Sequence, residues 1–145
     1  MGRRVRYFRW CEGEHALRKL CGVLNLSVCS DRVRMVLSTS SSNAYARIWA
    51  LHRVFQEAFS LKPLYVIEVV HRNFFKLNCD KKIDVILHEL AHIPSSASGG
   101  LRFHTPAFWR SYNQFRKMLS RVDRALLFEV CRLLSKKPQG LEELQ

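Results

Sequence analysis

The chain has 145 residues, a length typical of one domain with short tails. Its hydrophobic fraction of 48% and charged fraction of 25% exclude disorder along the whole chain, collagen and coiled coil as main structures. The 24 Lys and Arg residues outnumber the 12 Asp and Glu residues, so the formal net charge of +12 makes nucleic acid a candidate partner.

Membrane and secretory signals are not expected. No apolar run approaches the roughly 20 residues needed to span a bilayer. The basic start, Met1 to Tyr7, is not followed by an apolar stretch and cleavage site, so we expect no signal peptide and a cytoplasmic location, in a cell or a virus-infected host. The five cysteines show no CxxC spacing, which predicts reduced, mostly buried thiols and argues against a zinc ribbon.

The first part of the chain contains one helical and one strand pattern. The first ten residues are basic and aromatic and show no clear period. Residues 14–24 carry a single apolar stripe at helical spacing, which predicts a helix. Residues 32–38 begin with alternating polar and apolar side chains and predict a strand. The polar cluster at 38–43 is typical of a loop.

Residues 44–59 fit two patterns. Apolar residues that include Ile48 and Phe55 recur at helical spacing and favour a helix, although a strand beginning around residues 47–49 also fits. The clearest strand pattern is 64–70, a short β-branched run directly after a proline.

The second half of the chain is predicted to be mainly helical. A helix is expected over residues 81–93, with Asp80 as its N-cap and Pro94 ending it. The rest divides into a Ser- and Gly-rich loop at 95–105, helices at about 106–119 and 121–136, and a polar tail over 136–145. No internal repeat or long linker is present, so we expect a single domain over residues 1–145.

The helix predicted at 81–93 contains the HExxH pattern, His88-Glu89-Leu90-Ala91-His92. Two His residues at positions i and i+4 lie on one side of a helix, close enough to bind one zinc ion. Glu89 is offset by one residue, so it can reach a water molecule on the metal and act as general base. The core-facing side of this helix is predicted from four apolar residues, Ile83, Ile86, Leu87 and Leu90.

A catalytic zinc commonly has three protein ligands and one open position. The candidates for the third ligand are His104, Asp123 and Glu129. His104 is favoured because a loop with Pro and Gly can return the chain, and Thr105-Pro106 can open a helix beside the site. Glu129, in the middle of a predicted helix, stays open as the alternative ligand in a gluzincin-like arrangement.

Other side chains are candidates for supporting roles. Tyr112, Arg102 and His71 could each stabilise an oxyanion beside the metal, and the sequence does not choose among them. Asp84 lies one turn before His88 and could orient its imidazole, or could only cap the helix.

The stretch from Val85 to Pro94, with the loop that ends at His104, resembles metallopeptidases of archaea and phages. The segment His104-Thr105-Pro106-Ala107-Phe108-Trp109 is similar to the H-x-x-x-F endings of SprT-like proteases. The resemblance covers roughly residues 38–115, whereas the basic residues 1–37 match no family pattern and are unassigned.

This resemblance implies a compact zincin-like α+β domain. In such a domain a small mixed sheet packs on the HExxH helix and further helices follow at the C-terminus. The implied activity is zinc-dependent hydrolysis of peptide or protein substrates, with Glu89 as base and the zinc ligands His88, His92 and His104. We expect a substrate peptide to pair with an exposed sheet edge at the strand 64–70.

Two other functions stay open. A basic nucleic-acid-associated protein, including a SprT-like protease that acts on DNA-bound proteins, would make use of the net charge. The Lys and Arg residues are scattered, however, and no DNA- or RNA-reading motif is present. A non-catalytic zinc-binding domain would keep the two His residues and have no use for Glu89 as a base.

Overall fold

The computed structural model describes residues 4–138 and 141; residues 1–3 of the basic start and positions 139–140 and 142–145 of the predicted tail lie outside it. The described chain is an α+β structure with one mixed sheet and six helices. The strands are β1 (Tyr7–Arg9), β2 (Val33–Ser38), β3 (Ala46–Ala50) and β4 (Tyr65–Val70). The helices are α1 (Cys11–Leu24), α2 (Arg53–Phe59), α3 (His71–Phe74), α4 (Cys79–Ala91), α5 (Pro106–Leu119) and α6 (Arg124–Leu134). No helix in this part of the chain is long and apolar enough to cross a membrane.

The strand order in the sheet is β1-β2-β4-β3. Strand β2 is parallel to β4, while β1 pairs antiparallel with β2 and β3 pairs antiparallel with β4. The strand predicted at 64–70 is therefore confirmed, but its prediction as an exposed edge is wrong. Strand β4 has neighbours on both sides, and five of its six residues are buried, as is usual for a strand inside a sheet.

The helix favoured for residues 44–59 is wrong in its first part. Residues 46–50 form strand β3, in which Ile48 pairs with Ile67 of β4, and only residues 53–59 are helical. The ladder with β4 decides this, because pairing with an apolar inner strand outweighs a weak helical spacing. None of the residues of helix α2 is buried. The apolar residues spaced along it therefore do not form a side that faces the core.

The other predicted helices are confirmed: α5 spans residues 106–119 as predicted, and the remaining helices have shifted ends. Helix α4 begins at Cys79 because Asn78, not Asp80, is its N-cap and accepts a hydrogen bond from the Lys81 amide at 3.0 Å. It ends at Ala91, and His92 is its C-cap. Helix α6 begins at Arg124, since Asp123 caps it by accepting from the Ala125 amide.

The short strand β1 has no clear sequence period because it contains three residues, of which only Phe8 is partly buried. It is held by its antiparallel register with the end of β2.

The apolar core lies between the sheet and the helices. It includes alternate residues of β2 and β4 and the apolar side of α4. Trp10 lies fully buried between β1 and α1, and its indole Nε1 donates to the carbonyl of Lys136 at 2.7 Å. The N- and C-terminal parts of the described chain are thereby joined in one packed structure.

The cysteine prediction is wrong for four of the five residues. The structure pairs Cys21 with Cys29 and Cys79 with Cys131, and Cys11 is exposed and free. The first pair links α1 to the 3-10 turn at Ser27–Ser30, and the second links the start of α4 to α6. Both pairs are brought together by packing between elements, which no local Cys spacing reveals.

The replacement Gly13→Ala should destabilise the fold. A Cβ at position 13 would lie 2.3 Å from Cε3 of the fully buried Trp10, so the indole ring would have to move. We expect a loss of about 1–3 kcal/mol in the free energy of unfolding, measured by urea denaturation.

Gly22→Ala in the same helix is the matched control. No atom of the described residues lies within 4 Å of a Cβ at that position, so the substitution should stabilise the protein by about 0.4–1 kcal/mol. Equal effects of the two substitutions would contradict the proposed clash with Trp10.

Candidate metal centre

Helix α4 places its polar residues by burying its apolar side. Ile86 and Leu87 are fully buried and Leu90 is 1% exposed, so the orientation of the helix is determined by the core. His88 and His92 are half-buried one turn apart, with ring centroids separated by 5.1 Å. Glu89 is 7% exposed, and among the described residues no side chain hydrogen bonds to its carboxylate.

The orientation of the His92 imidazole is determined by a backbone contact. Its Nδ1 lies 2.7 Å from the carbonyl oxygen of Arg102, and the Arg102 amide donates to the His92 carbonyl at 2.9 Å. Since a carbonyl oxygen only accepts, Nδ1 carries the proton and Nε2 keeps its lone pair. A second hydrogen bond of this kind is typical of His residues that bind metal ions.

The loop between α4 and α5 is secured at several points. Gly99 has a φ of +112°, which favours glycine, and its amide donates to the hydroxyl of Tyr65 at 2.8 Å. The Arg102 guanidinium donates to the Ala91 carbonyl at the end of α4 (2.9 Å) and to Ser111 Oγ on α5 (2.6 Å). Arg102 therefore joins the two helices that flank the loop.

His104 enters the site from the start of α5. The next residue, Thr105, caps this helix by accepting from the Phe108 amide at 3.2 Å, and Pro106 is its first residue. The predicted helix start beside the site is thus confirmed. His104 Nε2 lies 3.1 Å from His88 Nε2.

The three imidazoles form one cluster. His88, His92 and His104 each offer a ring nitrogen, and these nitrogens lie within 4.8 Å of one another. The fully buried ring of Phe108 packs against all three imidazoles, with centroid distances of 4.6–5.0 Å. The H-x-x-x-F spacing explains this contact. It places Phe108 one helical turn after His104, where its ring packs against the three imidazoles.

Burial favours the neutral forms of the site residues. The pKa of His88 is lowered chiefly by burial and then by the nearby His92 and His104, and burial is also the main cause that lowers the pKa of His92. Burial raises the pKa of the Glu89 carboxyl to about 7. Neutral imidazoles are the form that binds metal ions.

Two alternative ligands lie elsewhere. Asp123 serves as the N-cap of α6. Glu129 accepts a hydrogen bond from Arg132 Nε at 2.9 Å, and this bond lowers the pKa of its carboxyl. Neither carboxylate belongs to the His cluster in the described part of the chain.

Asp84 and Tyr112 bind each other beside the cluster. The Tyr112 hydroxyl donates to Asp84, and Arg116 lies 3.4 Å from the same carboxylate oxygen. The negative charge of Asp84 raises the pKa of His88. This effect opposes the lowering by burial and by His92 and His104, which is larger. Burial, followed by the contact with Asp84, raises the pKa of Tyr112 to about 12.

The other two candidates for an oxyanion donor have different surroundings. The Arg102 guanidinium is engaged with Ala91 and Ser111. His71 is buried on α3, where the charges of Arg72 and Lys137 act on it. The main group that sequence reasoning missed is the Arg102 carbonyl, because a backbone oxygen leaves no signal in residue type.

A comparison with protein families gives one result. The model of a family described as "Putative phage metallopeptidase" matches residues 13–130. The match begins in α1 and ends in α6, so it extends beyond residues 38–115 and includes most of residues 1–37, which the sequence resemblance does not cover. No curated protein and no solved structure matches the chain significantly.

The replacement His71→Gln should make the protein less sensitive to acid. Burial, and then the charges of Arg72 and Lys137, lower the pKa of His71 below its ordinary value of 6.5. The unfolded chain therefore binds a proton here more readily, and the free energy of unfolding falls as the pH drops below 6.5.

Urea unfolding of metal-free protein at about pH 7.5 and 5.5 measures this effect. The wild type should lose more stability between the two values than His71→Gln does. The contributions of His88 and His92 are common to both proteins and cancel. Equal losses would show that His71 does not take part in the pH dependence.

Proposed function

This chain belongs to the phage metallopeptidase family, and on this basis we propose that it is a zinc-dependent peptidase of the HExxH type. Membership suggests a metal ion and a peptide or protein substrate. The observation that carries the proposal is the convergence of His88, His92 and His104 beside the buried Glu89.

The donor set fits a zinc ion. A tetrahedral zinc ion with bonds of about 2.0–2.1 Å holds two ring nitrogens roughly 3.3 Å apart. The 3.1 Å between the Nε2 atoms of His88 and His104 is close to that value. Two imidazole nitrogens at this distance require a proton or a cation between them, and the third nitrogen is within 4.8 Å.

Three imidazole ligands would leave one position of a tetrahedral zinc ion open, which is the pattern of catalytic sites. The orientation of His92 supports this assignment, since the Arg102 carbonyl takes its Nδ1 and leaves Nε2 for the metal. Phe108 and the helix cap at Thr105 hold His104 at the third position.

Glu89 is the general base in this mechanism. When bound, zinc supplies a Lewis acid that polarises the substrate carbonyl and makes a water molecule acidic near neutral pH. The carboxylate of Glu89 accepts the proton of the attacking water and passes it to the leaving amine. Its burial and the absence of a hydrogen-bond partner among the described side chains leave both oxygens available for this transfer.

The free edge of β3 is the substrate strand in this proposal. In the part of the chain that the structure describes, β4 lies inside the sheet, whereas β3 is an edge strand that pairs with β4 alone and packs against α4. A peptide added to β3 would extend the sheet next to the helix that carries the site. The mixed sheet and the helix α4 beside it support, as part of this proposal, the zincin-like arrangement that the sequence resemblance implies.

A non-catalytic zinc-binding domain is the alternative. It requires the three His residues, but it assigns no task to Glu89, which is 7% exposed beside them and whose carboxyl has its pKa raised by burial to about 7. Loss of function on replacement of Glu89 therefore separates the two proposals.

The replacement His104→Ala should reduce zinc affinity at least about 100-fold, because it removes one of three ligands. Zinc bound per chain and its dissociation constant can be measured by competition with a chromogenic chelator. We expect about one zinc ion per wild-type chain.

His15→Ala, at an exposed position of α1, is the control and should leave zinc binding unchanged. Unaltered affinity in His104→Ala would remove this residue from the site. Absence of metal from wild-type protein under zinc-replete conditions would contradict the whole proposal.

The replacement Glu89→Gln should keep the zinc ion and reduce peptide hydrolysis about 10²- to 10⁴-fold, the usual contribution of a general base. The amide has nearly the shape of the carboxylate but cannot accept the proton. Activity can be followed with a mixture of internally quenched fluorogenic peptides.

Glu129→Gln is the matched control, since Glu129 is bound to Arg132 away from the cluster, and its activity should equal that of the wild type. If Glu89→Gln were fully active, Glu89 would not be the base.

A further inference from the structure

Among the described residues, the helices pack on the core face of the sheet, and the opposite face is partly exposed. In β2 and β4, the side chains that alternate with the core residues point to the other face. Arg34 is exposed there and Val36 and Val66 are partly exposed, whereas Ser38, Glu68 and Val70 are buried. The register places Tyr7 and Arg9 of β1, Arg34 of β2, and Arg47 and Trp49 of β3 on that same side. We call these five residues and the surface between them the open sheet face.

Aromatic rings lie at both edges of the open sheet face. Tyr7 on β1 is 60% exposed and Trp49 on β3 is 53% exposed, values that are high for such large side chains. The partly exposed Val36 and Val66 lie on the same face between the two rings.

A buried carboxylate determines the position of Trp49. Its indole Nε1 donates to Glu68 Oε1 at 2.9 Å, and Glu68 is only 1% exposed. The same carboxylate accepts from Ser38 Oγ at 2.7 Å and pairs with Arg47 at 3.2 Å. The indole and the guanidinium are therefore ordered before any ligand arrives, which lowers the entropy cost of binding.

The charge of the open sheet face is positive. Arg9, Arg34 and the neighbouring Arg18 of α1 approach one carboxylate oxygen of Glu14 at 3.6–3.7 Å. These distances exceed those of hydrogen bonds, so the pairs are electrostatic. Three cations share one anion here, and Glu68, the one acidic strand residue on this face, is buried against Arg47.

We infer that the open sheet face binds single-stranded nucleic acid. Exposed rings of Trp and Tyr offer stacking surfaces to unpaired bases, and the arginines offer donors to phosphates. A duplex hides the faces of its bases, so it would use only the charge. The net charge of +12 favours a polyanionic ligand over a protein partner.

The open sheet face and the metal centre lie on opposite sides of the sheet. Helix α4 packs on the core side of the sheet, so the open face lies on the opposite side from the His cluster. Bound nucleic acid would thus leave the metal centre accessible. The inference does not depend on peptidase activity.

The test uses the full-length, metal-free chain and a fluorescein-labelled oligothymidylate of about 12 nucleotides, followed by anisotropy. Trp49→Ala should weaken binding about 5- to 100-fold, the range found for loss of one base stack. Phe128→Ala is the matched control, because this ring on α6 is 73% exposed but lies outside the open sheet face.

Salt dependence tests the arginines. Arg34→Ala should lower the slope of log affinity against log salt by about 0.7, the value for one phosphate contact on a single strand. Arg121→Ala removes the same charge at an exposed position between α5 and α6 and should leave the slope unchanged. Equal effects of the two substitutions would mean diffuse attraction and would overturn the proposal.

A spectroscopic readout guards against misfolding of Trp49→Ala. In the wild type, binding should quench tryptophan fluorescence. In Trp49→Phe, anisotropy should still show binding while most of the quenching disappears. Persistence of the quenching would place the bound strand away from Trp49, and tighter binding of a duplex of equal length would mean that charge alone is read; either result would contradict the proposal. No binding at low salt would also contradict it and would leave a protein partner as the occupant.

Discussion

The packing of one side of α4 into the core is the constraint that positions the site. Ile86 and Leu87 are fully buried, so the helix cannot rotate without exposing them to water. In a helix the direction of each side chain is fixed relative to all the others. Burial of the apolar side therefore also determines where His88, Glu89 and His92 point. The half-buried imidazoles and the buried carboxylate are consequences of the same packing.

The third imidazole, that of His104, is positioned by contacts of the loop that precedes α5. His104 follows a loop that has no regular secondary structure of its own. The hydrogen bonds of Arg102 hold this loop in position. Its side chain joins the end of α4 to α5, while its carbonyl orients the ring of His92. One residue therefore both closes the loop and sets the tautomer of a proposed ligand. Phe108 then supports all three rings from the start of α5.

The two faces of the sheet differ in chemistry. The core face is apolar and carries the helices, including α4 with its polar cluster. The open sheet face keeps two aromatic rings and several guanidinium groups in contact with water, with Glu68 buried beneath Trp49 and Arg47. A thin sheet thus separates a proposed reaction site from a proposed binding surface, and each is ordered by its own set of contacts.

Local period and residue chemistry were enough to predict part of this structure. They indicated β2, β4, α4 and α5, and they grouped His88, His92 and Glu89 as one candidate site, because spacing along a helix needs no knowledge of the rest of the fold. The remaining features depend on pairing between distant segments. The ladder with β4 made a strand of residues 46–50 and placed β4 inside the sheet, and helix packing joined Cys79 to Cys131. The choice of His104 over Glu129 was open in the sequence for the same reason. Both lie at plausible separations, and only the folded loop brings one of them to the other two imidazoles.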